Sequence, residues 1–296
     1  MAERSNPGPG TLGGNDAVAI VLNEPGQIAG VSYTNSTPNP ATGIPTLDPF
    51  LWDDGKMRDL GTLGGTFGYP TWINNRGQVV GQSDLAGDST AHPFLWDKGK
   101  LADLGTLGGN NGQALWINEG GDVVGSADLP GSHTHDGFLW KRGEMTDLGT
   151  QDGDPCSVAL SINSQGQIAG ASTSCGEYQH AFLWENGGPM VDLNTLVYPA
   201  SDLRVREGDD INEFGEIAGK AVLPNGDIHA VVLIPCDEKH PGECEDYSMI
   251  EASATQTGAF TAMKQGSESP TGTDNPSRNR FGRGYHLPSQ STAPRD

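Results

Sequence analysis

The sequence predicts an all-β fold: a five-bladed β-propeller of four-stranded repeats over residues 10–250, followed by a disordered tail over residues 251–296. Three recurring patterns predict it. A Gly, an acidic or amide residue, two small aliphatics and a second Gly recur five times, each run just after an Asn: Asn23, Asn74, Asn118, Asn163 and Asn212. These Asn are spaced by 51, 44, 45 and 49 residues, the signature of a tandem array. Phe50-Leu51-Trp52 recurs at Phe94, Phe138 and Phe182, with Val231-Val232-Leu233 as a degenerate fifth copy. The run Asp59 to Gly65 recurs from Asp103 to Gly109, as Asp147 to Thr150, and more weakly from Asp192 to Leu196, while a lone Thr11 to Gly14 heads the first unit.

Each unit reads as four short strands. Apolar residues before the Asn, such as Ala114 to Ile117, make the first strand. The Asn-x-x-Gly step then turns the chain into the second, Asp122 to Ser126 in unit three. An Asn side chain bonds nearby backbone and Gly supplies positive φ without steric cost, so the pair specifies a tight hairpin. The Phe-Leu-Trp run is the third strand. After a Lys141 to Gly143 or Asp97 to Gly99 turn comes the fourth, such as Glu144 to Leu148. Four strands in about 44 residues, with Gly-rich links and no long helical period, is the spacing of a propeller blade. An open solenoid stack is the rival, and it would need polar caps on its end units.

These residues resemble the bacterial extracellular repeats of the HAF family, named for the His-Ala-Phe that stands here as His180-Ala181-Phe182 and survives in part as His229-Ala230. The resemblance covers roughly residues 10 to 235 and rests on three motifs in fixed order. It implies a secreted repeat protein with no established activity. The chain departs from the pattern at Asp48 and Asp136, where other units have His, and in unit five, which has lost its Trp.

Unit five lacks its own Asp-Leu-Gly-Thr strand while the chain opens with an orphan Thr-Leu-Gly-Gly, the offset that circular closure predicts. Asn6 to Pro9 is a poor closing strand because Pro cannot donate to a ladder. Asp246 to Ile250 is the alternative. From Glu251 onward Ser, Thr, Pro, Asn and Gly dominate with no strand pattern, hence the disordered tail.

Composition bounds the partners. The chain has 43 Gly, 20 Pro and a net charge of −21, nearly all of the acidity lying before the tail. Such a surface repels phosphate, which disfavours nucleic acid and anionic membranes and leaves cations, a glycan or a cell-surface protein. No stretch approaches a membrane span, and the chain is expected to be a monomer. Cys156 and Cys175 flank the hairpin of unit four, and Cys236 and Cys244 bracket a loop after the last strand. Two local disulfides imply an oxidising, extracellular or periplasmic compartment. The opening Met1 to Gly8 has no apolar run of signal-peptide length, so an upstream segment carrying the signal is expected.

Candidate binding residues are of two kinds. Trp72 and Trp116 precede the turn Asn only in units two and three, where Val21, Ser161 and Asp210 stand elsewhere, and unit-specific aromatics are where a sugar platform would sit. Asp48, His92, Asp136, His180 and His229 precede each Phe-Leu-Trp; pointing inward, they would form a ring for a cation or a sugar. For a glycan hydrolase or lyase, the non-periodic acids Asp152, Asp154, Glu207, Asp209 and Asp210 would have to supply a carboxylate pair about 5 to 10 Å apart. The same acids are the candidates for Ca²⁺, although neither acidic run has EF-hand spacing. No nucleophile elbow, phosphate loop or His-Glu-x-x-His is present. The expectation is a non-catalytic binding module without cofactor, with a purely structural adhesion array as a further reading.

Overall fold

The computed structural model describes residues 10–40, 42–131, 134–151, 153–197 and 202–236, together with the backbone of Tyr285–His286. They form antiparallel meanders, one per repeat, with no α-helix and a single 3₁₀ turn at Leu193–Thr195. Unit one holds β1 (Ala17–Leu22), β2 (Ile28–Tyr33), β3 (Leu47–Asp53) and β4 (Lys56–Asp59). Unit two holds β5 (Gly64–Ile73), β6 (Val79–Leu85), β7 (Ala91–Asp97) and β8 (Lys100–Asp103). Unit three holds β9 (Gly112–Ile117), β10 (Val123–Asp128), β11 (His135–Lys141) and β12 (Glu144–Asp147). Unit four holds β13 (Cys156–Ile162), β14 (Ile168–Thr173), β15 (Tyr178–Trp184) and β16 (Val191–Asp192), and unit five β17 (Arg204–Ile211), β18 (Ile217–Val222) and β19 (Ile228–Pro235). A parallel bridge between Leu47 and Phe67 ties the first two units.

The repeated Asn organises both the hairpin and the array. In every unit its Oδ1 accepts the backbone N–H four residues on, at 2.8 to 3.0 Å for Gln27, Gln78, Asp122, Gln167 and Glu216. The Gly after it turns at positive φ, from 75° at Gly77 to 88° at Gly26. The Asn Nδ2 then reaches across to the next unit. Asn23 donates to the carbonyl of Asn74 (2.9 Å), Asn74 to that of Asn118, Asn118 to that of Asn163 and Asn163 to that of Asn212 (3.0 Å each). These first four Asn are buried, so each bond also satisfies polar atoms that water does not reach. Asn212, in the last unit and exposed, makes only the donation within its own turn, to Glu216 at 2.5 Å, which Asn23, Asn74 and Asn163 also make to Gln27, Gln78 and Gln167.

The second Gly of the motif has a different cause. Every first strand carries a bulge three residues before the Asn, at Ile20, Thr71, Leu115, Leu160 and Asp209. Across from it the first-strand carbonyls press on the second strand. A Cβ at Gly30, Gly81, Gly125, Gly170 or Gly219 would lie 2.0 to 2.2 Å from such an oxygen, which leaves Gly as the one residue that fits.

Hydrophobic packing runs between units rather than within them. Ala29, Leu51 and Leu60 of unit one meet Ile73, Val79, Phe94 and Trp96 of unit two, and the same geometry repeats at the next three junctions. The outer faces of the end units lack this cover: Val18 and Leu22 are 58% and 69% exposed, Val232 43%.

One expectation changes here. Residues 251–296 were expected to be structureless, yet Tyr285–His286 forms a short strand, β20, pairing antiparallel with Ile234–Pro235 of β19. The reason is the missing fourth strand of unit five, which leaves the backbone groups of β19 open to a partner. The proposed closing segments at Asn6 to Pro9 and Asp246 to Ile250 lie outside the described residues. Cys156 and Cys175 form a disulfide with Cα atoms 5.1 Å apart, stapling the open end of the unit-four hairpin. Cys236 is disulfide-bonded as well, and Cys244 lies outside the described residues. Among the described residues no helix is long and apolar enough to cross a membrane.

Candidate functional site

The five Asn turns converge on one cavity of about 340 Å³, bordered by residues of every unit. Each first strand brings its turn to this place because neighbouring first strands lie side by side. The bulge fixes which side chain faces in. The residue two before the Asn is Val21, Trp72, Trp116, Ser161 and Asp210 in units one to five; Trp72, Trp116 and Asp210 border the cavity, while Val21 packs against the first inter-unit core and Ser161 is buried behind Asp210, so the wall is apolar on one side and polar on the other.

On the apolar side Trp72 and Trp116 are half-buried and stack with ring centroids 3.6 Å apart and planes 18° from parallel. Trp72 rests against the core between units two and three and Trp116 against that between units three and four. On the polar side Ser161 Oγ donates to Asp210 Oδ1 at 2.8 Å and accepts the N–H of Ile211 at 3.2 Å. The rim carries Glu24, Glu119 and Glu213. Glu119 accepts the N–H of Asn75 at 2.8 Å, and Glu213 accepts the N–H of Ser164 at 3.0 Å together with its hydroxyl. These partners are neutral, and among the described residues no basic side chain pairs with Glu24, Glu119, Asp210 or Glu213.

The expected ring of His and Asp does not form. Asp48, His92, Asp136, His180 and His229 lie on third strands, two strands away from the turn cavity, and none borders it. Three of them face the motif Asp on the adjacent fourth strand instead. His92 Nδ1 is 2.9 Å from both carboxylate oxygens of Asp103. In units one and three the third-strand residue is itself an acid, so Asp48 meets Asp59 and Asp136 meets Asp147. Burial first, then the neighbouring carboxylate, pushes Asp48 and Asp136 up to about 7. Asp48 Oδ1 and Asp136 Oδ1 are buried without a hydrogen-bond partner. His180 bonds Asp154 through Nδ1 at 2.7 Å and the guanidinium of Arg204 through Nε2. Since a guanidinium only donates, Nε2 is the acceptor and Nδ1 carries the proton given to Asp154.

The acids proposed for hydrolysis fall in separate places, with only Glu207 and Asp209 together. Asp154 is held by His180, and Glu207 and Asp209 lie 2.7 and 3.5 Å from Lys220 Nζ. Asp210 faces the turn cavity, and Asp152 lies outside the described residues. Burial raises Glu207 against the lowering effect of Lys220, and burial also raises Tyr178 beside it. Among the described residues no group of three or more His, Cys, Asp or Glu is arranged to hold a metal ion. A second cavity of about 470 Å³ lies at the opposite end of the strands, across units two to four. It is bordered by Gln113, Asp128, His135 and Tyr178 among others, without an aromatic pair.

Sequence reasoning singled out Trp72 and Trp116 by their restriction to two units. It missed the acidic rim, whose residues follow the turn Asn at one position in units one, three and five (Glu24, Glu119, Glu213), a signal visible once the repeats are aligned.

No family model matches the chain, and no curated protein does. Solved structures with a distant likeness include TolB from Acinetobacter baumannii, 13% identical with a TM-score of 0.43 over 74% of this chain and 51% of that one. An acylaminoacyl peptidase from Pyrococcus horikoshii is 11% identical, with a TM-score of 0.48 over 74% of this chain and 37% of that one. The chain therefore spans about half the length of the first and little more than a third of the second.

Proposed function

We propose that this chain is a non-catalytic extracellular binding module, a five-bladed propeller of HAF-type repeats whose turn cavity takes a glycan. The observation that carries the reading is the Trp72–Trp116 pair, half-exposed at the wall of the cavity that all five units share. Aromatic walls with a few fixed polar groups are the usual make-up of small-ligand sites, and about 340 Å³ lies in their size range. The Asn bonds and the inter-unit cores hold the cavity rigid, so little ordering cost falls on the ligand. Disulfide bonding at Cys156, Cys175 and Cys236 supports an oxidising compartment.

A glycan array probed with the full oxidised chain, alongside Trp72→Ala and Trp116→Ala variants, tests this. Selective binding that falls at least about tenfold, or ~1.4 kcal/mol, in either variant supports it. A blank array from protein with an intact near-ultraviolet circular dichroism spectrum returns the reading to a structural adhesion array, which the use of four Asn as inter-unit staples favours.

A further inference from the structure

Resting on that binding reading, we infer that the turn cavity selects ligands carrying a positive charge, a protonated amine on a sugar or other compact organic body. Three features of the cavity point the same way. Its apolar wall is the stacked Trp72–Trp116 pair, and an indole ring attracts a cation through its π-system quadrupole. Opposite stands Asp210, which commits one carboxylate oxygen to Ser161 Oγ at 2.8 Å and stands exposed in the cavity wall. The rim adds Glu24, Glu119 and Glu213, whose described partners are neutral amides and a hydroxyl.

A neutral sugar would leave these four carboxylates uncompensated, and an acidic sugar would be repelled at close range. An ammonium group entering between the indoles and Asp210 finds an aromatic surface on one side and a carboxylate on the other. It also lowers the repulsion among the rim acids. Elsewhere in the array Asp122 and Glu207 have lysine partners, Lys141 and Lys220, and no lysine or arginine stands against the cavity acids among the described residues.

Fully deacetylated chitotriose and its N-acetylated twin share a backbone and differ in charge, so titrating both into the full chain, in mildly acidic low-salt buffer, isolates the effect. The expected result is at least about tenfold tighter binding of the amine form, equivalent to ~1.4 kcal/mol. Added salt should weaken that preference by screening. Asp210→Asn keeps an acceptor for Ser161 while removing the charge, and should collapse the preference toward unity; Glu213→Gln is a second, independent variant. Equal affinity for the two sugars would overturn the inference and leave the glycan reading standing. Tetramethylammonium serves as the sugar-free arm: its binding without either sugar keeps the charge selectivity and removes the glycan. Failure of all three to bind overturns both.

Discussion

Asp136 offers the sharpest test of how charge is arranged in the array. It is 6% exposed, faces Asp147 across β11 and β12, and is pushed up to about 7 from 3.8 by burial and by that neighbour. A carboxyl whose folded pKa lies above its unfolded value favours the fold while it is protonated. Its contribution is fully present below pH 3.8 and is lost as pH rises through about 7. At 1.36 kcal/mol per pK unit, the interval from 3.8 to about 7 corresponds to ~4 kcal/mol. Because Asp147 stands in solvent, screening reduces this to ~2 kcal/mol. Asp136→Asn supplies a permanent N–H donor in place of the protonated acid. The variant should match the wild type in urea denaturation near pH 3, pull ahead as the pH rises from 3.8 to about 7, and exceed it by ~2 kcal/mol near pH 8. Asp48→Asn should behave alike, and the two gains should add, since the pairs sit in separate units. An unchanged or lower stability of Asp136→Asn at the higher pH would refute the reasoning, because the paired carboxyls would then not be competing for one proton.

Three further outcomes follow from the array itself. Asn118→Ala removes the donor to Asn163 and orphans the N–H of Asp122, so it should cost ~3 kcal/mol in the same denaturation assay, whereas Asn212→Ala, which has no onward bond, should cost ~1 kcal/mol. Gly125→Ala places a Cβ 2.0 Å from the Gln113 carbonyl and should lower stability by ~3 kcal/mol or more, read as loss of soluble, cooperatively melting protein; a neutral effect would mean the bulge can relax. Reducing the disulfides should destabilise unit four by ~3 kcal/mol through the 19-residue separation closed by Cys156 and Cys175, and hydrogen exchange should show the loss centred on β13 and β14.

The repeat signal in the sequence carried most of the local structure. The Asn-x-x-Gly hairpin, the Phe-Leu-Trp third strand and the Asp-led fourth strand fall where the motifs stand, because each rests on short-range turn chemistry. The role of the second Gly was hidden, since it depends on a bulge in another strand and on a carbonyl two strand residues away in space. The His and Asp positions were misjudged for a related reason. Alternation along a strand says which face a side chain takes, but not how far its strand stands from the cavity, and a third strand puts His92 beside Asp103 instead. Tyr285–His286 was invisible because two residues carry no periodicity; what recruits them is the open edge of β19. Trp72 and Trp116 were recognisable as exceptions within a repeat, while their mutual stacking depended on adjacent units meeting at their first strands.

The hydrogen bonds from Asn23 to Asn74 and onward all run in one sense, amide to following carbonyl. The array is thus polar in the way a chain of hooks and eyes is polar: every repeat offers a hook forward and an eye behind. A duplicated repeat spliced between two others finds both its connections waiting, so the number of units can grow without any existing junction having to be reinvented. A repeat inserted backwards would meet hook against hook. Among the described residues the relay runs from unit one to unit five: Asn212 keeps its amide within its own turn, on Glu216, and the carbonyl of Asn23 accepts only the N–H of Gly26 in its own turn.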